Sequence, residues 1–531
     1  MYDLEQMTKL AAKGKVSRRD FVQFAMATGI GAAAAETMFV KAARSEPKRG
    51  GFLRIGSAHG STTDTLDPSN YLDTYTQSVF AGWMSNSLTV INHKGEWEPD
   101  LAESLEPSDD AAQWVVKLRQ GVTFHDGKDF TSEDVIATTN AITSEESKSP
   151  VKSTLADLTE IKADGPHTVI YKLKAGNADF PYVLSDLLYC MLPSRDGVAD
   201  WQSGIRTGAF MLEKFEPGVT VKQKRNPNYF REGRPYFDEV ESLVLTDVVA
   251  RTNALTTGDI HFMNRCDLKT LNLLQKAPGV VVSELTGFGH LTLPMLCTVP
   301  PFDNVNVRLA LKYAIDRQDI VDKIFFGHAT PGNDNPIPPP PSVKYAIVPE
   351  PIHSYDPDKA KYYLKEAGLS SLKVDLSMAD AAFAGAVDAG VLIREHAAAA
   401  GIDVNVIREP NDGYWDNVWL KKPWSASYWS GRPTIDWMFT QAYLGGVAWN
   451  ETLWTNARFD ELVNGARAEL DDAKRAAMYA EAQQILHDDG GQIVLVFRNF
   501  VDAHSDKLAH NEVAVNWELD GLKLAERWWF A

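Results

Sequence analysis

Strand-like and helix-like stretches alternate along the whole chain, and that mixture confines it to an α/β architecture. Residues 50–55 read as a strand, "TTDTLDPSNY" as a loop and residues 74–88 as a helix. Residues 114–118 alternate like a strand, and "TSEDVIATTNAI" opens with Thr131 and with Asp134 three positions on, the spacing of a helix cap. Further strands are expected at 167–173 and 219–224, and a long amphipathic helix at 305–324. The prolines Pro338 to Pro341 remove backbone donors and fix an extended form, so "DNPIPPPPS" is a stiff crossing segment. After it, "YDPDKAKYYLKEAG" reads as a helix capped by Asp356 and closed by Gly368, followed by the strand-like "SLKVDLSM"; the same order recurs at "AAGIDVNVIRE". There is no internal repeat.

The N-terminus carries its own information. Ser17, Arg18, Arg19, Asp20 and Phe21 lie between a lysine-bearing start and the apolar run "FAMATGIGAAAA". That run is shorter than the ~20 residues a bilayer requires. The segment resembles a twin-arginine signal, which implies export of an already folded chain to the periplasm and removal of residues 1–46. An amphipathic first helix with a chance arginine pair is the alternative. Lys41 and Arg44 follow the run, and the cut falls after Ala42, Ala43 or Ser45. No cysteine lies near it, which disfavours a lipid anchor.

About 485 residues would remain, enough for two to four domains. The chain's formal charge of −18 opposes binding to nucleic acid or anionic lipid. Cys190, Cys266 and Cys297 show no CxxC spacing, so neither a disulfide framework nor a zinc knuckle is supported.

Three separated stretches narrow the reading: "PDLAESLEPSDDAAQWVVKLRQGVTFHDGKDFTSEDVIAT", "VRLALKYAIDRQDIVDKIFFGHATPG" and "YDPDKAKYYLKEAG". With "RNPNYF" and "FDELVNGARAELDDAKRAAMYAEAQQIL", they resemble in order and spacing the family 5 solute-binding proteins of peptide-type and nickel-type ABC importers. The resemblance implies a large two-lobed periplasmic-binding-protein-like α/β fold with an extra inserted domain, hinged to close on ligand. Mapped here, lobe I would hold 47–90, 207–295 and 501–531, the inserted domain 91–206, and lobe III 296–500. It implies no catalysis and no cofactor. It also implies a monomer that delivers a peptide or small-molecule ligand to a permease and ATPase at the inner membrane. His125 and Asp126, beside a turn glycine, read as scaffold, as do Arg308, Asp316 and Arg317 on one helix.

Seven of fourteen tryptophans fall between Trp415 and Trp454. Each serves either the core or a ligand wall, with at least two expected at the wall, among them Trp415, Trp429 and Trp437. In peptide-binding relatives a tryptophan here is followed three residues later by an aspartate that receives the ligand's amino group. In "SYWSGRPTIDWMF", Trp429 is followed at that place by Arg432, with Asp436 four residues further on. A guanidinium there favours a carboxylate, unless Asp436 takes over amine binding or neutralises Arg432 in an internal salt bridge. Arg206, in "IRTGAF" where relatives carry Gly-Thr-Gly-Pro, is expected to be solvated at the hinge rather than turned into the cleft. Tyr71 is expected as a second wall.

The ligand is then a peptide or a small anion such as an opine-like conjugate or sugar acid. An exported hydrolase is the competing class, but GxSxG, HExxH and GxxxxGK[ST] are all absent. A metal- or haem-complex carrier is a third, with His261, His290 and His328 as scattered candidates.

Overall fold

The computed structural model describes residues 3–12, 16–28, 30–31, 35, 47–340 and 342–531. The candidate cleavage positions Ala42, Ala43 and Ser45, with Lys41 and Arg44, lie outside them. Ser17 caps the helix Arg18–Ala27, its hydroxyl accepting from the Asp20 backbone N–H. Phe21 is buried locally against Met7 and Ala25. No described helix is long and apolar enough to cross a membrane.

A nine-stranded sheet organises the rest. In chain order its strands are β1 (Phe52–Ser57), β2 (Phe210–Glu216), β3 (Thr220–Arg225), β4 (Glu239–Val244), β5 (Phe262–Met263), β6 (Val280–Thr292), β7 (Ala329–Pro331), β8 (Ser427–Trp429) and β9 (Val494–Ser505). The spatial order is β2-β3-β4-β1-β5-β9-β6-β8, with β7 also paired to β9. Only β1 pairs in parallel, with β4 and β5. Leu53 and Ile55 of β1 are fully buried, as alternation predicts for a strand with one face on the core.

Strands β6 and β9 run the length of the sheet. Their register is regular from Val280↔Ser505 to Thr286↔Asn499, breaks, and resumes at His290↔Phe497. Gly287 and Gly289 lie in the break, and a Cβ at either would stand 2.3 or 2.9 Å from the Phe500 ring. Beyond the break β6 accepts β8.

Residues 102–173 contribute a separate antiparallel sheet in the order Ala102–Pro107, Gln113–Leu118, Thr168–Leu173, Leu158–Ala163. The helix Ser132–Thr143 beside it opens with the expected Thr131–Asp134 capping box. Further on, Leu372–Met378 and Ile402–Arg408 pair in parallel across the helix Ala386–Ala398. Asp356 caps Pro357–Glu366 as expected.

Two helices depart from expectation. The span 305–324 is split into Val305–Tyr313 and Arg317–Lys323, because Asp316 turns its carboxylate onto the Asp319 N–H at 3.0 Å and starts a new helix. Arg308 and Arg317 therefore do not bridge along one helix; they pair with Asp489 (2.7 Å) and Asp334 (2.8 Å). The segment begun at Thr74 widens at Gln77–Trp83 and stops before Leu88. Gly82 there lies flush against the Leu522 carbonyl, 2.1 Å from where a Cβ would be.

Candidate functional site

Beyond the β6 break, β8 carries Ser427, Tyr428 and Trp429 into the molecule, and strand alternation sends neighbours to opposite sides. On one side is a tryptophan box. The rings of Trp419, Trp429 and Trp449 meet edge to face at 5.8–6.4 Å, and Trp415 meets Trp419 at 6.1 Å. Behind them the buried Glu451 carboxylate accepts from Trp419 Nε1 (3.1 Å) and Thr292 Oγ1 (2.9 Å). Burial pushes its pKa above the usual carboxylate range. These bonds fix the orientation of the wall.

Tyr428 lies between the box and His59: its ring meets Trp415 edge to face at 5.2 Å and is tilted 39° against His59 at 5.6 Å, and its hydroxyl accepts from the Thr74 N–H. Beneath it Arg265 and Arg498 share the carboxylate of Glu518, with Arg265 at 2.7 Å. Asp502 accepts from the Arg265 backbone N–H at 2.9 Å. Burial, then the Glu518 charge, raises the Asp502 pKa to about 7.

Gly431, with φ +82°, turns the chain sharply after β8; a Cβ there would meet Phe288 at 2.3 Å. The turn folds Arg432 back between Trp429 and Trp437, its guanidinium carbon 5.7 and 5.5 Å from their ring centres. Arg432 Nε donates to Gln441 Oε1 (2.7 Å) and Nη1 to the Gly431 carbonyl (2.7 Å). Gln441 Nε2 in turn donates to Asp186 at 3.3 Å. Among the described residues Arg432, 9% exposed, forms no ion pair. Burial lowers its pKa to about 10, partly opposed by the charge of Asp186. Arg432 and the four box tryptophans line a cavity of about 40 Å³ together with Leu72, Gln77 and Tyr428. That is room for ~3 waters or one carboxylate.

Leu72 and Trp415 also line a second cavity of about 670 Å³, within the size range of small-molecule sites. It lies between residues 58–76 and the segments at 380–381 and 411–416. Polar contacts join its two sides: Ser61 and Thr62 hydroxyls donate to Asp412 at 3.1 Å, and Thr63 Oγ1 to Asp416 at 2.9 Å.

Of the residues singled out in the sequence, Trp415, Trp429 and Arg432 line the tryptophan cavity, joined by Trp419 and Trp449. Trp437 packs in the core against Trp517, as Trp424 does against Phe302 and Trp454 against Phe459. Asp436 is not bonded to Arg432. Its carboxylate is held by Arg467 at 3.1 Å, and Arg467 also reaches Asp157 at 2.8 Å. Arg206 is not solvated: it is fully buried and donates to the carbonyls of Ile205, Leu66 and Trp201. Tyr71 is turned inward onto Phe80, its hydroxyl donating to Leu66, and its neighbours Asn70 and Leu72 supply the wall instead. His125 bonds the backbone of Arg206 and Gly208, a scaffold role.

His261, His290 and His328 make separate contacts, with the Arg54 N–H, the Phe288 carbonyl and Glu284. Among the described residues the grouping with metal-ligand proximity is His353, His487 and Asp488, which the sequence reading missed. Its imidazoles stack 3.8 Å apart at 16°, so their in-plane lone pairs run side by side instead of converging on an ion.

Residues 96–451 match the family described as bacterial extracellular solute-binding proteins, family 5 Middle. The chain is 27% identical over 466 residues to the glutathione-binding protein GsiB of Escherichia coli (strain K12), covering 85% of this chain and 90% of that one. The periplasmic binding protein DppA from Helicobacter pylori, in complex with the peptide STSA, superposes with a TM-score of 0.81 at 22% identity, over 93% of this chain and 100% of that one. AgaA from A. tumefacien R10, in complex with agropinic acid, gives 0.81 at 23% identity over 91% and 99%. With an α/β sheet of this order, a two-lobed fold of this kind and a family match over most of its length, the chain belongs to family 5 of the bacterial extracellular solute-binding proteins.

Proposed function

We propose that this solute-binding protein of an ABC importer captures a solute through a carboxylate held at Arg432 within the tryptophan box, and delivers it to the permease and ATPase. The observation that carries this is a buried guanidinium lining a cavity with no ion-pair partner among the described residues. A carboxylate arriving there gains charge-assisted, geometrically defined hydrogen bonds in a low-dielectric wall. Glutathione, agropinic acid and a peptide, named for the relatives above, all carry such a group. A peptide, an opine-like conjugate and a sugar acid fit this reading equally.

The rest of the proposal follows the N-terminal sequence for export and the family for closure. Ser17, Arg18, Arg19 and Phe21 serve as the twin-arginine export signal to the periplasm. The monomer closes by hinging lobe I (47–90, 207–295, 501–531) and the inserted domain 91–206 against lobe III (296–500). Binding of short peptides and of small carboxylates, measured by thermal shift and then calorimetry, tests the anchor. Arg432→Ala should weaken any carboxylate the parent binds by about thirtyfold or more, in line with ~2–5 kcal/mol for one partner of a buried charged pair. Equal affinity in Arg432→Ala refutes the assignment.

A further inference from the structure

Arg432 and Asp186 are a buried cation and a buried anion that do not meet. Among the described residues neither forms an ion pair. Burial disfavours the charged form of both, and each charge partly offsets that for the other. One side chain stands between them. Gln441, buried on the helix Ile435–Ala442, accepts from Arg432 Nε at 2.7 Å and donates from Nε2 to Asp186 Oδ2 at 3.3 Å, while Asp186 Oδ1 takes the Leu188 N–H at 2.9 Å. The partners fix which end of the amide is which: a guanidinium only donates and a carboxylate only accepts, so the oxygen faces Arg432 and the nitrogen faces Asp186. The place calls for a neutral group with both functions, because a carboxylate there would pair with Arg432 and an ammonium would repel it. Arg432 is held at a second point as well, since Nη1 donates to the Gly431 carbonyl, which also accepts from Trp517 Nε1 at 3.2 Å. Its Nη2 makes no hydrogen bond among the described residues.

We infer that Gln441 is the positioning residue that sets the selectivity of this site: its amide spaces Asp186 from Arg432, so the guanidinium is oriented without being neutralised and its charge is left for an incoming carboxylate. The inference rests on the anchor reading above and extends it from the residue that binds to the one that keeps it free. A direct pair between Arg432 and Asp186 would satisfy both charges inside the protein, and an arriving carboxylate would have to displace a partner already in place. With the amide between them, the solute's carboxylate is the first full counter-charge to reach the guanidinium. A neutral amide in its place forms weaker hydrogen bonds, because charge assistance roughly doubles their strength. The spacer therefore makes the anchor discriminate free acids from their amides by charge as well as by shape.

The test uses the purified chain with glutathione, agropinic acid and trialanine as free acids, and with trialanine C-amide. The parent should prefer trialanine to its C-amide at least tenfold. Gln441→Glu keeps the shape of the side chain and puts a carboxylate on Arg432 Nε; it should weaken every acid that the parent binds at least tenfold and cut the preference over the C-amide to below threefold. Gln441→Glu/Asp186→Asn removes repulsion between the two carboxylates and offers the introduced one an amide donor, and acid binding should stay lost. A urea-unfolding cycle needs no solute: Gln441→Glu should lower the midpoint far more in an Arg432→Met background than in the parent, because only there is the introduced carboxylate without its cation. Recovery of acid binding in the double variant, or equal midpoint losses in the two backgrounds, overturns the inference. If Arg432→Ala loses the acids while Gln441→Glu keeps them, the spacer falls and the anchor stands. If Arg432→Ala keeps them, or none of the acids binds the parent, the anchor reading falls and the selectivity assigned to Gln441 falls with it.

Discussion

Replacing Arg467 separates the structural role of Asp436 from the ligand role that its place in the sequence suggests. Arg467 lies on the helix Ala457–Ala468 and its Nε meets both Asp436 oxygens, at 3.1 and 3.2 Å. Asp436 is 3% exposed, and its other side-chain contact is the Thr440 hydroxyl at 3.4 Å. Burial disfavours the Arg467 charge, and the Asp436 and Asp157 carboxylates more than offset it, holding its pKa above the ordinary arginine value. Arg467→Ala strands a carboxylate in the interior, which costs about 3–5 kcal/mol. Asp436→Asn leaves Arg467 paired with Asp157 and costs about 1–2 kcal/mol. Asp157→Asn, whose carboxylate is 32% exposed, costs about 1 kcal/mol or less. The double variant Arg467→Ala/Asp436→Asn removes the stranded charge and should recover about 2 kcal/mol of the single Arg467 loss. Urea unfolding followed by fluorescence and circular dichroism, with each transition fitted separately, reads the cycle. Asp436→Asn should also bind every carboxylate that the parent binds. Strictly additive costs, or loss of binding in Asp436→Asn, would refute this assignment.

Two further predictions concern the neighbourhood of β9. The Asp502 pKa of about 7 lies above its unfolded value, so its contribution to stability is complete below pH ~4 and is lost as pH rises to 7. The parent should therefore lose up to about 4 kcal/mol over that interval from this group, and Asp502→Asn should flatten the profile and exceed the parent at pH 8, read by urea midpoints. Gly287→Ala places a methyl 2.3 Å from the Phe500 ring and should cost about 1–3 kcal/mol, relieved by Phe500→Leu; an unchanged midpoint would contradict the packing reason for that glycine.

The parts of this molecule that were legible in its sequence are those decided by neighbours in the chain. Thr131 and Asp134 satisfy each other across one turn, and Asp356 caps its own helix, so both starts are fixed locally. The density of tryptophan after residue 414 is likewise local, and four of the seven line one cavity. Asp316 misled because apolar periodicity continues through it while its carboxylate begins a new helix. The pairing of Asp436 was hidden for a different reason. Arg432 stands four residues away, yet the winning partner is 31 residues on, brought there by helix packing. Arg206 finds three carbonyls on two separate segments, one of them 140 residues away, so its burial has no local signature. The wall of the larger cavity joins aspartates more than 300 positions apart, none unusual in its own stretch.

The proposed lobes meet through an apolar contact, Trp437 on Trp517 at 5.9 Å, and through a set of polar ones. Arg467 to Asp157, Arg475 to Asp179, Gln441 to Asp186, and Ser61 and Thr62 to Asp412 are all polar, and each joins residues 296–500 to earlier segments. Polar pairs of this kind can be exchanged for water at small net free energy, unlike a buried apolar face. The continuous strands β6 and β9 hold the two portions together, and their pairing is interrupted at Thr286–His290. A sheet that keeps its ends paired while its middle register is open can bend there without losing a ladder bond. Under the hinged closure proposed above, a solute favours the closed form only by as much as it binds that form better than the open one. On that reading a carboxylate held at Arg432 supplies part of this difference.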